Sequence, residues 1–145
     1  MKAKQITYTD FNGVERTETH YFNISQRELV KMQAGTDGGV YALMQRAVDA
    51  QNETMLAQVY EDLIDMSYGV KTADGRGFKK SPEILAEFKA TGAYDELFIE
   101  MLDADKFAKF INEILPADVA KAAEAKMAEI KAGTLGQMAA LVATD

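Results

Sequence analysis

The 145-residue chain contains no cysteine and no tryptophan, one histidine and two prolines. Without cysteine there is no thiol nucleophile, no disulfide framework and no thiolate-ligated zinc. With His20 as the one imidazole, a zinc site would need three carboxylates beside it, an unusual ligand set. His20 sits at a polar position of an alternating strand pattern, which predicts a surface residue and neither a base nor a ligand. The serines are Ser25, Ser67 and Ser81, and none lies in a G-x-S-x-G elbow. Long apolar runs are also missing. None approaches the roughly 20 residues that span a bilayer, and Met1 to Thr9 runs straight into a strand pattern without the apolar region of a secretory signal. The expected compartment is the cytosol, and no membrane contact is expected. An acid excess, net −7, opposes general nucleic-acid binding, because phosphate repels such a chain at long range.

What is present is an ordinary globular balance, 48% hydrophobic and 27% charged, at a length that suits one core. Charge is unevenly spread. Residues 35–66 carry six acids and one base, residues 67–81 four bases and one acid, and residues 82–115 eight acids and three bases. A compact basic loop therefore separates two acidic helical blocks.

The first 23 residues read as a β-hairpin. Ile6-Thr7-Tyr8-Thr9 alternates, Asn12-Gly13 is a strong turn signal, and Val14 to Phe22 alternates again, with Thr17, Thr19 and Tyr21 against Arg16, Glu18 and His20. Ser25-Gln26-Arg27-Glu28 is a capping box that opens a helix ending before Gly35. After a 35–39 loop, Val40, Leu43, Met44, Ala47 and Val48 fall at helical spacing. A further helix starts near Glu53, with Leu56, Val59, Tyr60 and Leu63 on one face. Residues 69–80, with three glycines, read as irregular, or else as a tight hairpin of Val70-Lys71 against Phe78-Lys79. Ser81-Pro82-Glu83 opens another helix. Thr91-Gly92 breaks it, and Asp103 caps a last amphipathic segment whose buried face is Phe107, Phe110, Ile111, Ile114 and Leu115, ended by Pro116. From Ala117 onward alanine dominates and the apolar stripe thins, which predicts an exposed helix and a loose tail. The expected architecture is α+β and mostly helical: a hairpin packed on a bundle of five to six helices within residues 1–116, with an exposed C-terminal helix in 117–145.

The catalytic inventory is thin. Acidic pairs such as Glu61/Asp65 read as solvated helix faces, and Asp103/Asp105 lacks the spacing of a calcium loop. The loop Asp74-Gly75-Arg76-Gly77-Phe78-Lys79-Lys80 lacks the G-x-x-x-x-G-K-[ST] pattern of a phosphate cradle. It reads as a turn whose bases balance the adjacent acidic helices, or as a docking surface. Candidate partner-binding residues are Tyr68, Lys71, Arg76, Phe78, Lys79 and Lys80 in that loop. Met44, Met55 and Met66 join them, because methionine adapts to irregular surfaces. Thr17, Thr19 and Tyr21 are the candidate self-association edge. No cofactor, metal or catalytic residue is expected, and the function expected from the residues is protein binding.

Three segments together resemble the tail assembly chaperones of siphophages and prophages of Gram-positive bacteria. The first is Tyr8-Thr9-Asp10-Phe11-Asn12-Gly13-Val14-Glu15-Arg16-Thr17-Glu18, running on to Tyr21-Phe22-Asn23-Ile24. The second is Ser67-Tyr68-Gly69-Val70-Lys71-Thr72-Ala73-Asp74-Gly75-Arg76-Gly77-Phe78 with Lys80-Ser81. The third is Glu87-Phe88-Lys89-Ala90-Thr91-Gly92-Ala93-Tyr94-Asp95-Glu96-Leu97-Phe98, followed by Phe110-Ile111-Asn112 and Pro116. Gly77 stands where the family commonly has Arg, and Glu113 where it has Gly. The resemblance covers residues 5–118. It implies a protein of the infected host's cytoplasm that coats the tape measure protein, recruits major tail tube subunits and is absent from the mature virion. It also implies a frameshifted longer form as a partner; a homo-oligomer is expected separately, from the free edge of the hairpin. The rivals are a structural head–tail or tail protein, and a nucleic-acid-binding regulator using Lys71, Arg76, Lys79 and Lys80.

Overall fold

Two alternating segments flank Asn12-Gly13, and they form strands β1 (Lys2–Thr9) and β2 (Glu15–Phe22) in the computed structural model, which describes residues 1–35, 46 and 49–116. The pair is antiparallel from Lys2 opposite Phe22 to Thr9 opposite Glu15. Gly13 takes φ +79°, a conformation that side chains with a Cβ rarely adopt. Asp10 locks the turn. Its Oδ1 accepts the backbone N–H groups of Asn12 and Val14, each at 2.9 Å, and its Oδ2 accepts Arg16 Nε at 2.6 Å. These contacts hold the Asp10 carboxyl below its usual range, with the Arg16 hydrogen bond contributing most.

Strands β3 (Tyr68–Lys71) and β4 (Phe78–Lys79) extend the sheet in the order β1-β2-β3-β4. The hairpin reading of residues 69–80 is the one adopted: Val70 lies opposite Lys79 and Lys71 opposite Phe78. Gly75, at φ +74°, lets the chain reverse. The Thr72 hydroxyl donates to Asp74 at 2.7 Å and accepts from Gly77 N, so the turn satisfies its own polar groups.

Five helices are described. Helix α1 (Gln26–Gly35) opens on the capping box, with Ser25 N–H donating to Glu28 at 3.0 Å and Glu28 N–H to Ser25 Oγ at 3.2 Å. Helix α2 (Glu53–Ser67) is capped by Asn52, α3 (Pro82–Lys89) by Ser81, and α5 (Ala104–Ile114) by Asp103; α4 (Gly92–Glu100) follows the Thr91 break. The stretch 36–45, with the helix expected at 40–48 and Met44, lies outside the described residues, as does the C-terminal helix expected in 117–145.

The core lies between one sheet face and the helices. Ile6, Tyr8, Phe22 and Ile24 meet Leu56, Tyr60, Ile64, Phe88, Leu97, Phe107, Phe110 and Ile114, all buried. The architecture is α+β and mostly helical, as expected. One expectation is corrected. His20 is not a surface residue: its side chain is 14% exposed, and its ring lies 4.7 Å from Phe88. It shares the parity of Phe22, and helix α3 covers that face.

Candidate functional site

Strand parity divides the basic loop between two faces. Tyr21 lies opposite Gly69, and Lys71 opposite Phe78, so these four positions fall on the sheet face turned away from the helices. Gly69 is small for a reason: a Cβ there would lie 2.5 Å from the Phe78 ring and 2.8 Å from the Lys79 carbonyl oxygen. Lys71 Nζ sits 4.5 Å from the centre of the Tyr21 ring. Arg76 is exposed in the turn that joins the two strands, and Lys79, opposite Val70, is exposed on the other face. Tyr21, Lys71 and Phe78 thus share one face of the sheet, with Arg76 in the turn at its end.

The remaining candidates turn elsewhere, although the Lys80 ammonium still lies 5.8 Å from the centre of the Phe78 ring. Tyr68 has the parity of Phe22 and stacks on Phe88, with ring centres 4.2 Å apart and planes at 14°. Burial first, and the acids Glu87 and Glu18 after it, push its hydroxyl above the usual tyrosine value. Lys80 turns inward. Its ammonium donates to Asn23 O at 2.6 Å, Met66 O at 2.7 Å and both Glu28 oxygens at 2.8 and 2.9 Å. Met66 is half-buried against the core, and Met55 is 37% exposed. Those two lie about 16 Å apart along α2 at 1.5 Å per residue, so they do not make one patch.

The self-association candidates lie on β2, where β3 covers only Tyr21 and Phe22. Tyr21 is therefore already paired, with Gly69. Asp10 and Val14 form a hydrogen-bonded pair at the turn. Counting alternately from it, Glu15, Thr17 and Thr19 aim their backbone groups away from β1. No partner for them occurs among the described residues. Thr17 Oγ1 bonds Thr7 Oγ1 at 2.9 Å on the open face.

Two surface features have no counterpart among the candidates read from the sequence. A cleft of about 210 Å³ lies between β1 and α5, lined by Lys2, Lys4, Glu100, Lys106, Lys109 and Glu113 over Met101 and Phe110. Lys2 pairs with Glu113 at 2.6 Å and Lys4 with Glu100 at 2.5 Å. The cleft is assembled from residues 2–4 and 100–113, far apart in the chain, and alternation alone carries no signal for it. The second feature is Phe11, 90% exposed on the locked hairpin turn beside Val14 at 51%. Its position next to Asn12-Gly13 was the available signal. Among the described residues, no helix is long and apolar enough to cross a membrane.

A family model described as phage tail assembly chaperone matches residues 1–143. The match runs on through residues 119–143, beyond the segments that carry the resemblance read from the sequence. No curated protein and no solved structure matches the chain.

Proposed function

The chain belongs to the phage tail assembly chaperone family, and we propose that it works in the host cell by binding the tape measure protein and recruiting tail tube subunits to it. The observation that carries this reading is the family match over nearly the whole chain. The action is binding without catalysis or cofactor, and the protein departs before the virion is complete. A frameshifted longer form of the chain is the further expected partner.

The physical requirements of the role agree with the surfaces described. A tape measure protein presents long amphipathic helices, and its carrier must hold them moderately and let them go. The surface of Tyr21, Lys71 and Phe78, with Arg76 in the turn at its end, offers aromatic faces beside cations, suited to a helix with acidic flanks. Met55, exposed at the start of α2, is a second, adaptable contact. Lys80, Met66 and Tyr68 support that surface from behind. We assign docking to residues 1–116 and treat 117–145 as a separate unit.

The test is co-expression with the phage's tape measure and tube proteins, followed by pull-down. Co-purification with a tape measure that is insoluble alone is the expected result, weakened by Lys71→Glu with Arg76→Glu. A chain that binds neither protein and is found in purified particles is a structural virion component instead. Binding to DNA or RNA that falls steeply with salt makes it a nucleic-acid regulator.

A further inference from the structure

We propose that two copies of this chain pair antiparallel through β2, Glu15–Thr19 of one copy against Thr19–Glu15 of the other, about a twofold axis at Thr17. This pairing rests on the sheet register and stands apart from the identity of any cargo.

Strand β2 is eight residues long, but β3 pairs with it only at Tyr21 and Phe22. The segment 15–19 is left with one neighbour, β1. Ladder alternation makes Glu15, Thr17 and Thr19 the residues with outward N–H and C=O groups. In an antiparallel pair centred on Thr17, those residues form the hydrogen-bonded positions: Thr17 with Thr17, and Glu15 with Thr19 twice, each exchanging two backbone bonds.

Charge selects the same axis. Centring on Thr17 sets Arg16 opposite Glu18 of the second copy, and Glu18 opposite its Arg16. Moving the axis one residue either way sets Arg16 against Arg16 or Glu18 against Glu18, which is unfavourable directly across a pair. Both side chains are accessible, at 50% and 40%. Arg16 spends Nε on Asp10, which leaves its terminal nitrogens. Glu18 accepts Tyr8 OH on Oε1, which leaves Oε2. Continued further, the register carries the hairpin turn of one copy up to β3 of the other, bringing exposed Phe11 and Val14 beside exposed Val70. By contrast, the outer strand β1 carries Lys2 and Lys4, tied to Glu113 and Glu100, and such lysines guard an edge. Five residues of strand make a small interface, so the dimer is reversible and concentration-dependent.

Sedimentation velocity of the full chain from micromolar to millimolar concentration should show a monomer–dimer equilibrium. Arg16→Glu alone and Glu18→Lys alone each create two like-charge pairs and should weaken it roughly tenfold or more. An equimolar mixture of the two variants restores both opposite-charge pairs and should dimerise. Thr17→Pro removes an outward N–H that β1 does not use, so the hairpin persists, read by circular dichroism, while dimerisation is lost. A chain that is monomeric throughout, a folded Thr17→Pro that still dimerises, or a mixture that fails to associate overturns the pairing. If Thr17→Pro does not fold, the charge exchange alone decides. A monomeric chain that still solubilises the tape measure protein overturns this pairing and leaves the chaperone reading in place; a dimer that binds no tail protein does the reverse.

Discussion

Replacing Lys80 by methionine should destabilise the fold by about 2–3 kcal/mol. The ammonium reaches three residues on two elements at once: Asn23 O just before α1, Glu28 in the first turn of α1, and Met66 O in the last turn of α2. The pair is neither a surface contact nor deeply buried, with side chains 23% and 25% exposed. Hydrogen bonds to charged groups contribute roughly 1.5–3 kcal/mol each in net terms. Water can replace part of these four, which brings the sum down to the figure given. Burial raises the Glu28 carboxyl, but the Lys80 and Ser25 contacts outweigh it and leave it below the usual glutamate value. A lowered carboxylate contributes stability above its unfolded value, and that contribution is lost as pH falls through its folded one. The Lys80→Met penalty should therefore shrink below about pH 4.5. Urea unfolding at pH 7 measures the loss, and at roughly 3 °C per kcal/mol the midpoint of thermal unfolding should drop by about 6–9 °C. A double cycle with Glu28→Gln, whose amide oxygen can still accept Ser25 N–H, isolates the ion pair from the two carbonyl contacts. A Lys80→Met change within about 0.5 kcal/mol of the parent, the scatter of ordinary surface substitutions, would refute the clasp.

Two further outcomes are expected. Burial lowers the His20 imidazole despite the pull of Glu18, so the native state binds fewer protons than the unfolded chain just below pH 6.5; stability should fall from pH 7.5 to 5.5, and His20→Phe, packing on Phe88, should flatten that slope in urea titrations. Tyr60 buries its hydroxyl, without a partner among the described residues, beside Phe107 at 4.2 Å between ring centres. Tyr60→Phe removes an unpaid desolvation and should raise stability by about 1–2 kcal/mol, measured by the same unfolding curve; a loss of that size would mean the hydroxyl has a bonding role.

Local signals were legible wherever the partners sit within one turn of chain. The Ser25/Glu28 capping box, Ser81 before Pro82, Asp103 and the Asn12-Gly13 reversal all act over three or four residues, and each stands in the structure as its sequence implies. The destination of Lys80 was not legible. Its partners lie 57, 52 and 14 residues away, and a lysine at the end of a basic loop looks like a solvated docking group until the fold brings Asn23, Glu28 and Met66 around it.

The hairpin faces are an intermediate case, and they show where alternation stops. Alternation separates Thr17, Thr19 and Tyr21 from Arg16, Glu18 and His20, but both sets look polar, so it does not say which one is covered. The turn supplies the missing information through register. With Gly13 at the reversal, Ile6 falls opposite Glu18 and Tyr8 opposite Arg16, so the charged set shares a face with core residues. Unpaired charge on a buried face is costly. Arg16 is instead held by Asp10, Glu18 by the Tyr8 hydroxyl, and the helical cover thins before reaching them, leaving them half-open at the end of the sheet. His20, further along the same strand, is under cover and gives up its charge. One strand thus grades from core, through a titrating histidine, to accessible, opposite charges at the end nearest the turn.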